Sequence, residues 1–432
     1  MKQIGVGLLG FGTVGAGVVD GLTKNRRLMA DRLGVEVALR KIADLDTTSD
    51  RGVTVEPGML IPDASAVIHD PEIQIVVELI GGTGVARKFI LEALNAGKHV
   101  VTANKKLLAE YGEEIFSTAE KNGVDIYFGA SVGGGIPIIR VLREGLAGNQ
   151  IHTIHGILNG TCNYILTRME NEGAPFDEVL KAAQDAGYAE ADPSLDIDGF
   201  DTAHKAVILA SLAYGFHVPM AEVQVEGIRN LAGIDVRYAR DFGYRIKLLA
   251  SIQKEGDEIE VSVHPTLVSA KHMLATVNDV FNAAMVNGDM SGDTLYYGRG
   301  AGRAPTASTV IGDIGDIARN ILSGVPRYTR GVNVANAGAL RIRKAEDIES
   351  RFYVRMMVAD RPGALGIIST ILGHCGVSIR AATQKESDDA GAGYVPVVFL
   401  TNVAKNADLC RALKEIQGAS VVSEAPVKLR VL

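Results

Sequence analysis

Short apolar runs at 4–9, 35–43, 75–79, 98–102 and 124–128 alternate with amphipathic stretches such as 85–96 and 107–122. Runs of this length suit strands, and the stretches between them carry a helical period. Strand and helix alternating at this spacing predict a parallel, doubly wound α/β sheet of the Rossmann-like kind. With 432 residues the chain has room for two or three such cores.

From residue 133 the rhythm changes to longer helical patterns at 137–145, 161–172, 176–186 and 200–214, followed by an alternating strand at 258–263. This is expected to be a second, mixed α+β domain. The stretch 306–322 reads as a helix that returns to pack on the first domain, and 330–350 reads as a linker. The pattern then resets to strand, helix, strand, strand, helix, strand at 352–358, 364–373, 377–384, 394–401, 407–416 and 427–431. That order makes a ferredoxin-like sandwich. The expected domains are therefore 1–130 with a returning helix at 306–330, then 131–305, a linker at 331–349, and 350–432.

Gly10-Phe11-Gly12-Thr13-Val14-Gly15 directly follows the first apolar run and opens a helix. In that context the first glycine permits the turn, the second admits a pyrophosphate to the backbone, and the third lets helix and strand pack closely. A glycine-rich loop in another α/β fold would read similarly. Asp44 ends the second strand, where an acidic residue would hold the ribose hydroxyls of NAD. Arg40, Lys41 and Arg51 stand nearby and would suit the extra phosphate of NADP, so coenzyme preference stays open.

Thr102 and Lys105 lie at the carboxyl end of the fourth strand, the edge beyond which ligands gather in open α/β sheets. Lys105 either faces such a ligand or is one of a solvated pair with Lys106. Four carboxylates, Glu190, Asp192, Asp196 and Asp198, form an acidic loop. Asp201 and Lys205 then fall one helical turn apart. They read as a surface ion pair, or, given apolar Ala203, Ala206, Val207, Ile208 and Leu209 around them, as a partly desolvated lysine suited to proton transfer. Lys247 reads equally as a helix residue snorkelling to solvent or as a ligand-binding group, and Met356 and Met357 read as core.

Net charge of −7 and the absence of a long basic run exclude nucleic-acid binding by bulk electrostatics. Three widely spaced cysteines exclude a disulfide framework and suit a reducing, cytoplasmic compartment. The uncharged run 3–19 is broken by glycines and lacks the basic start of a signal peptide, so no membrane anchor is expected.

Taken in order, the glycine fingerprint, Val101-Thr102-Ala103-Asn104-Lys105, Gly156-Ile157-Leu158-Asn159-Gly160-Thr161, the 190–205 segment and Gly300-Ala301-Gly302-Arg303-Ala304-Pro305-Thr306-Ala307-Ser308 resemble the homoserine dehydrogenases over about residues 1–330. The tail, with Asp360-Arg361-Pro362-Gly363-Ala364-Leu365, resembles an ACT domain, a module that commonly binds amino acids. The pair is expected to form the single-function enzyme.

The resemblance implies NAD(P)-dependent interconversion of L-aspartate 4-semialdehyde and L-homoserine, in threonine and methionine biosynthesis. It implies Glu190 and Asp196 holding substrate with Gly160 and Thr161 lining it, and Lys205 near the reacting oxygen with Asp201 orienting it. Lys105 would bridge cofactor and substrate. Gly10, Phe11, Gly12, Thr13, Val14, Gly15, Asp44, Thr102 and Gly302 would serve the cofactor. A sodium ion is implied on the carbonyls of Val132, Gly134 and Ile136, although the position that often supplies a Glu in that turn is Gly129 here. Threonine feedback at Asp360, Gly363, Ala364 and Leu365, and a homodimer or homotetramer, complete the expectations. An inactive amino-acid or dinucleotide sensor, and a dehydrogenase of another small amino acid, are the alternatives.

Overall fold

The structure is a computed structural model that describes residues 2–324, 340–384 and 393–432. The expected linker up to residue 339, the end of the returning helix beyond 324, and the loop 385–392 lie outside the described residues. The chain divides into two compact units: Met1–Gly160, Asp201–Val223 and Val280–Leu340 form one, and Thr161–Phe200, Gln224–Asp279 and Arg341–Leu432 the other.

In the first unit a six-stranded parallel sheet runs in the order 3-2-1-4-5-6, counting strands along the chain. Its centre is Gln3–Leu9, with Ile4, Val6 and Leu8 fully enclosed. Strands covered on both faces need no polar alternation, which is why these runs are continuously apolar. The helix Thr13–Lys24 follows the first strand, and Arg303–Ser323 packs against it. Gly17 makes this approach possible, because a Cβ there would lie 2.8 Å from the Arg303 carbonyl oxygen and 3.0 Å from Ala307 Cβ. Val310, Ile314 and Ile317 complete the same core. This unit also contains Ile151–Ile157, Phe281–Gly288 and Gly292–Arg299, paired antiparallel, and the helix Phe200–Tyr214, of which Phe200 belongs to the other unit.

In the second unit Tyr244–Glu255 and Glu258–Ser269 form a long antiparallel hairpin. Three short strands line the free edge of Glu258–Ser269 in parallel: Arg341–Ile342, Gln224–Val225 and Val427–Val431. The first of these falls in the stretch expected to be linker. The tail is a four-stranded antiparallel sheet in the order 4-1-3-2 with helices Ala364–His374 and Asn406–Gly418. Phe352, Val354, Met356 and Val358 alternate toward those helices and pack with Ile368, Leu372, Leu409 and Ile416. Met357 is only half-buried.

The reading of Lys247 as a helix residue snorkelling to solvent is corrected. It lies on the strand Tyr244–Glu255, 1 % exposed, and donates to the Val277 carbonyl at 2.5 Å, Asn163 Oδ1 at 3.2 Å and Asn278 Oδ1 at 3.1 Å. The segment around it is buried on both faces, so its apolar run carries no period that separates strand from helix.

Candidate active site

The glycine loop is held as its sequence requires. Gly10 has φ +96°, and a Cβ there would stand 2.7 Å from the Leu79 carbonyl carbon. A Cβ on Gly15 would lie 2.2 Å from the Gly10 carbonyl oxygen. A Cβ on Gly12 would meet no protein atom within 4 Å. Packing inside the chain therefore does not call for glycine at 12, whereas close approach by a pyrophosphate does. The helix Thr13–Lys24 begins at Gly12 with no side-chain cap, leaving its first N–H groups for an anion.

Asp44 reaches back to this loop: its Oδ2 accepts from Phe11 N–H at 2.6 Å and its Oδ1 from Asp46 N–H at 2.9 Å. Arg40 donates to Gln3 and Lys41 pairs with Asp70 at 2.7 Å. Arg51 stays beside the loop, paired with Asp46 at 2.8 Å.

Glu78, which sequence reasoning missed, organises the opposite wall. It is fully enclosed at the end of Ile75–Glu78. Its Oε1 accepts from Ile80 and Gly81 N–H at 2.8 and 2.9 Å, and its Oε2 from the Thr102 hydroxyl at 2.7 Å. Thr102 Oγ1 in turn accepts from Asn104 N–H, and Asn104 Oδ1 caps the helix Lys105–Lys121 by accepting from Leu107 N–H. The cap sets where Lys105 leaves the backbone. The only sequence signal for Glu78 was a carboxylate closing an otherwise apolar run.

Lys105, Asp201 and Lys205 meet. Lys205, 9 % exposed, donates from Nζ to Asp201 Oδ2 at 2.6 Å and to the Leu158 carbonyl at 2.6 Å. Lys105 Nζ stands 3.2 Å from Asp201 Oδ1, and Asn159 Nδ2 donates to Asp201 Oδ2 at 2.9 Å. Burial works to raise the Asp201 pKa, but the two ammonium groups overcome it and hold the carboxyl well below its usual range. An ammonium has three N–H donors, so Lys205 keeps one beyond Asp201 and Leu158. The surface-pair reading of Asp201 and Lys205 is thereby set aside for this pair. Asn159 was quoted only within a motif, and nothing in the chain marks its contact, 42 residues away, with Asp201.

Of the acidic loop, Asp198 is taken by Arg229 at 2.7 and 2.9 Å, and Asp192 accepts from Ser194 N–H at 3.1 Å. Glu190 is exposed, and the Asp196 carbonyl accepts from the Cys162 thiol at 3.2 Å. Thr161 donates its hydroxyl proton to the Tyr188 carbonyl at 2.7 Å. These residues lie in the second unit, whereas Gly160 closes the first, where a Cβ would stand 2.9 Å from the Val280 carbonyl oxygen.

Gly302, at φ +116°, precedes the helix Arg303–Ser323. The turn containing Val132, Gly134 and Ile136 packs against this loop: Gly135 N–H donates to the Arg299 carbonyl at 3.1 Å. That helix also grips the turn through Thr309, whose hydroxyl donates to the Gly134 carbonyl at 2.7 Å, and Asp313, which accepts from Gly129 N–H at 2.8 Å. The donor set does not fit a cation well. Two of the three carbonyls are already engaged, Gly134 by the Thr309 hydroxyl and Ile136 by Ile138 N–H at 2.8 Å, and position 129 offers no carboxylate. Among the described residues no group of three His, Cys, Asp or Glu side chains could hold a metal ion.

Burial pushes the Asp313 carboxyl up to about 7, against the Gly129 N–H and the pull of Arg143 and Arg140, with Asp316 adding to the rise. A carboxyl raised on folding favours the native state most below its ordinary pKa near 3.8 and costs increasingly as pH climbs toward 7. Asp313→Asn keeps an acceptor for Gly129 but cannot ionise. It is expected to be more stable than wild type at pH 8, with a ceiling of about 4 kcal/mol, and to show no such advantage at pH 4. Urea unfolding at the two pH values checks this, and a difference independent of pH would refute it.

In the regulatory-type tail, Gly363 at φ +87° precedes the uncapped helix Ala364–His374, with Leu365 exposed beside it. Among the described residues no helix is long and apolar enough to cross a membrane.

Family comparisons agree along the whole chain. Residues 10–129 match the homoserine dehydrogenase NAD-binding domain, 137–314 the homoserine dehydrogenase domain proper, and 352–418 the ACT domain. Homoserine dehydrogenases of Neisseria gonorrhoeae and Synechocystis are each 43% identical, over 100% and 99% of this chain and 99% of their own. The crystal structure of a homoserine dehydrogenase from Thiobacillus denitrificans superposes with TM-score 0.94 at 42% identity, covering 100% of this chain and 99% of that one. A hyperthermophilic archaeal homoserine dehydrogenase solved with NADPH gives TM-score 0.62 at 30% identity, over 72% of this chain and 97% of its own.

Proposed function

This chain belongs to the homoserine dehydrogenase family, and from that premise we propose that Lys205, Asp201 and Lys105 carry its chemistry. The enzyme is an NAD(P)-dependent oxidoreductase acting on a CH–OH group. In the reductive direction the aldehyde carbon of L-aspartate 4-semialdehyde gains a hydride and its oxygen gains a proton, giving L-homoserine. The nicotinamide, when bound, supplies or accepts that hydride. Lys205 hydrogen-bonds the reacting oxygen with its remaining N–H and supplies the proton, while Asp201 holds the lysine in place. Lys105 bridges cofactor and substrate from the far side of the same carboxylate. Glu190 and Asp196 take the substrate ammonium, with Gly160 and Thr161 lining the site.

The observation that carries this reading is the Lys205 ammonium, held by Asp201 and Leu158 at 2.6 Å each and still able to donate once more. Purified protein with L-homoserine is expected to reduce a nicotinamide coenzyme, followed by absorbance with NAD and NADP in parallel. Cofactor binding without turnover would refute it in favour of a sensor or another substrate.

Gly10, Phe11, Gly12, Thr13, Val14 and Gly15 would bind the pyrophosphate, with Asp44, Thr102, Lys105 and Gly302 completing the cofactor site. Arg51 favours NADP, since it is the one of the three sequence-noted cations that stays beside the Asp44–Asp46 turn. Arg51→Ala is expected to raise KM for NADPH about tenfold with little change for NADH, the loss of one charge-assisted phosphate contact. Equal effects on both coenzymes would rule the contact out. The sodium ion implied at Val132, Gly134 and Ile136 takes no part in this mechanism.

In this reading 1–130 with the returning helix binds the coenzyme, 131–305 serves catalysis and dimerisation, and 350–432 regulates. L-threonine is the proposed effector at Asp360, Gly363, Ala364 and Leu365, where an uncapped helix start offers N–H groups to a carboxylate. The exposed Leu365 and Ile367 suit association of these modules in a homodimer or homotetramer. Three free cysteines suit the cytoplasm.

A further inference from the structure

The free edge of Glu258–Ser269 is lined in sequence by Gln224–Val225, paired at residues 262 and 263, and by Val427–Val431, paired at 266 and 267. Between the two pairings falls Pro265, which has no N–H to offer a neighbouring strand. The two short strands part here, and a cavity of about 160 Å³ opens between them. It is comparable to cavities of ~150 Å³ that admit a benzene-sized molecule, but its lining is polar. Gln224, Glu226, His264, Asn406, Lys428 and Arg430 face it, and no residue of the Asp360–Leu365 turn does.

The charges divide by sign. Lys428 and Arg430 are two apart on one strand and so share a face. Lys428 Nζ donates to Asn406 Oδ1 at 2.6 Å and to Cys410 Sγ at 3.5 Å. Arg430 is paired with Glu260 and donates to Gln224 Oε1 at 3.2 Å. A guanidinium has five N–H donors and an ammonium three, so both keep donors in reserve. Glu226 is anchored by its backbone, whose N–H donates to the Val263 carbonyl at 2.7 Å. Its carboxyl is open to solvent yet crowded by protein, and this partial burial raises its pKa against the pull of Lys428 and Arg430.

We propose that this cavity is a second small-molecule site, for a free α-amino acid whose ammonium meets Glu226 and whose carboxylate meets Lys428 and Arg430. A simple anion would leave Glu226 facing like charge, and a simple cation would face two positive groups. Only a molecule carrying both charges a few bonds apart satisfies the two walls together. The site joins Val427–Val431 and Asn406 of the tail to Gln224–Glu226 and Glu258–Ser269, so occupation would tie the regulatory sheet to the hairpin it borders within this unit.

The test is calorimetric titration of the full chain with glycine, L-alanine, L-threonine and L-methionine, and with acetate and ethylammonium as half-ligands. At least one amino acid is expected to bind about tenfold more weakly to Glu226→Gln and to Lys428→Met, and equally well to Glu190→Gln, which reports the catalytic site instead. Both half-ligands are expected to bind at least about tenfold more weakly than the amino acid. Glu226→Gln preserves shape, so it remains decisive even where Lys428→Met folds poorly, and its turnover with no amino acid present beyond the substrate is expected to match wild type. Amino-acid binding indifferent to Glu226→Gln, acetate binding as tightly as the zwitterion, or no binding at all would overturn the proposal. Each of these outcomes is independent of whether L-homoserine is turned over.

Discussion

Lys205→Met is expected to lower kcat about 10³-fold, with KM for L-homoserine changed by a factor of about three or less. A thousandfold corresponds to about 4 kcal/mol of transition-state stabilisation, within reach of a positioned proton donor that also balances a developing oxyanion. The substitution keeps the length of the side chain and removes only the ammonium. Asp201 would still have Lys105 at 3.2 Å and Asn159 at 2.9 Å, so the carboxylate is not left alone. Folding should therefore survive, at a cost of about 1–3 kcal/mol for the unpaired Leu158 carbonyl and the weakened ion cluster. Steady-state kinetics in both directions and a melting curve separate the two effects. If kcat falls by less than about threefold in a well-folded variant, Lys205 is not the proton donor.

The pH dependence of this cluster has a definite sign. Asp201 is held below the ordinary carboxylate range, so its contribution to stability is complete above that range and is lost only as pH falls through its depressed native value. Asp201 thus stays ionised at neutral pH. Asp313 behaves oppositely, because it is buried against a main-chain N–H without a directly bonded cation. Two aspartates with nearly equal enclosure titrate in opposite directions because only one has ammonium groups in contact.

Asp235→Ala is expected to be the most damaging single substitution for stability outside the proposed catalytic cluster, costing about 3–5 kcal/mol. Asp235, in the helix Gly233–Asp241, has no exposed surface. It accepts from the Tyr353 hydroxyl at 2.8 Å and from Arg355 at 2.7 and 3.3 Å, all buried. Tyr353 and Arg355 alternate with Phe352, Val354 and Met356 along Glu349–Ala359, so they leave the opposite face of the tail's sheet from its own core. Removing the carboxylate strands a guanidinium with 8 % side-chain exposure, and among the described residues Glu424, at 3.3 Å, is the carboxylate left in contact with it. Tyr353→Phe, by contrast, deletes one hydrogen bond and is expected to cost about 1 kcal/mol. Denaturant midpoints for the pair check the ranking, and an Asp235→Ala loss smaller than that of Tyr353→Phe would show that Arg355 finds another partner. The same ion pair ties the tail's sheet to Gly233–Asp241, so, on the proposal that L-threonine acts at the tail, its effect is expected to weaken in Asp235→Ala along with stability.

Much of this molecule could be read before its structure. The parallel strands, the helix Phe200–Tyr214 and the strand Tyr394–Thr401 follow the apolar and helical periods along the chain. Gly10 and Gly15 were legible because each answers to a contact made within a few residues or across one neighbouring strand, and Gly12 by its place in the same fingerprint. The hairpin strand Tyr244–Glu255 was not, since Leu248, Leu249, Ala250 and Ile252 are buried on both faces and leave no alternation. Nor was the stretch 341–342 as a strand, for its pairing depends on an edge more than seventy residues earlier.

The division follows range. Local interactions decide where a strand ends, where a helix starts and which positions must be glycine, and these are written in neighbouring residues. The spacing of Asp201 and Lys205 likewise placed them on one helical face without help from the rest of the chain. Whether that pair would be solvated or enclosed depended on partners brought from afar: Leu158 and Asn159 from 47 and 42 residues away, and Lys105 from another helix. Arg355 and Asp235 meet across 120 residues, and Asp313 and Gly129 across 184. Burial and neighbouring charge together set what these groups do, and neither acts on a side chain until the distant segments close around it.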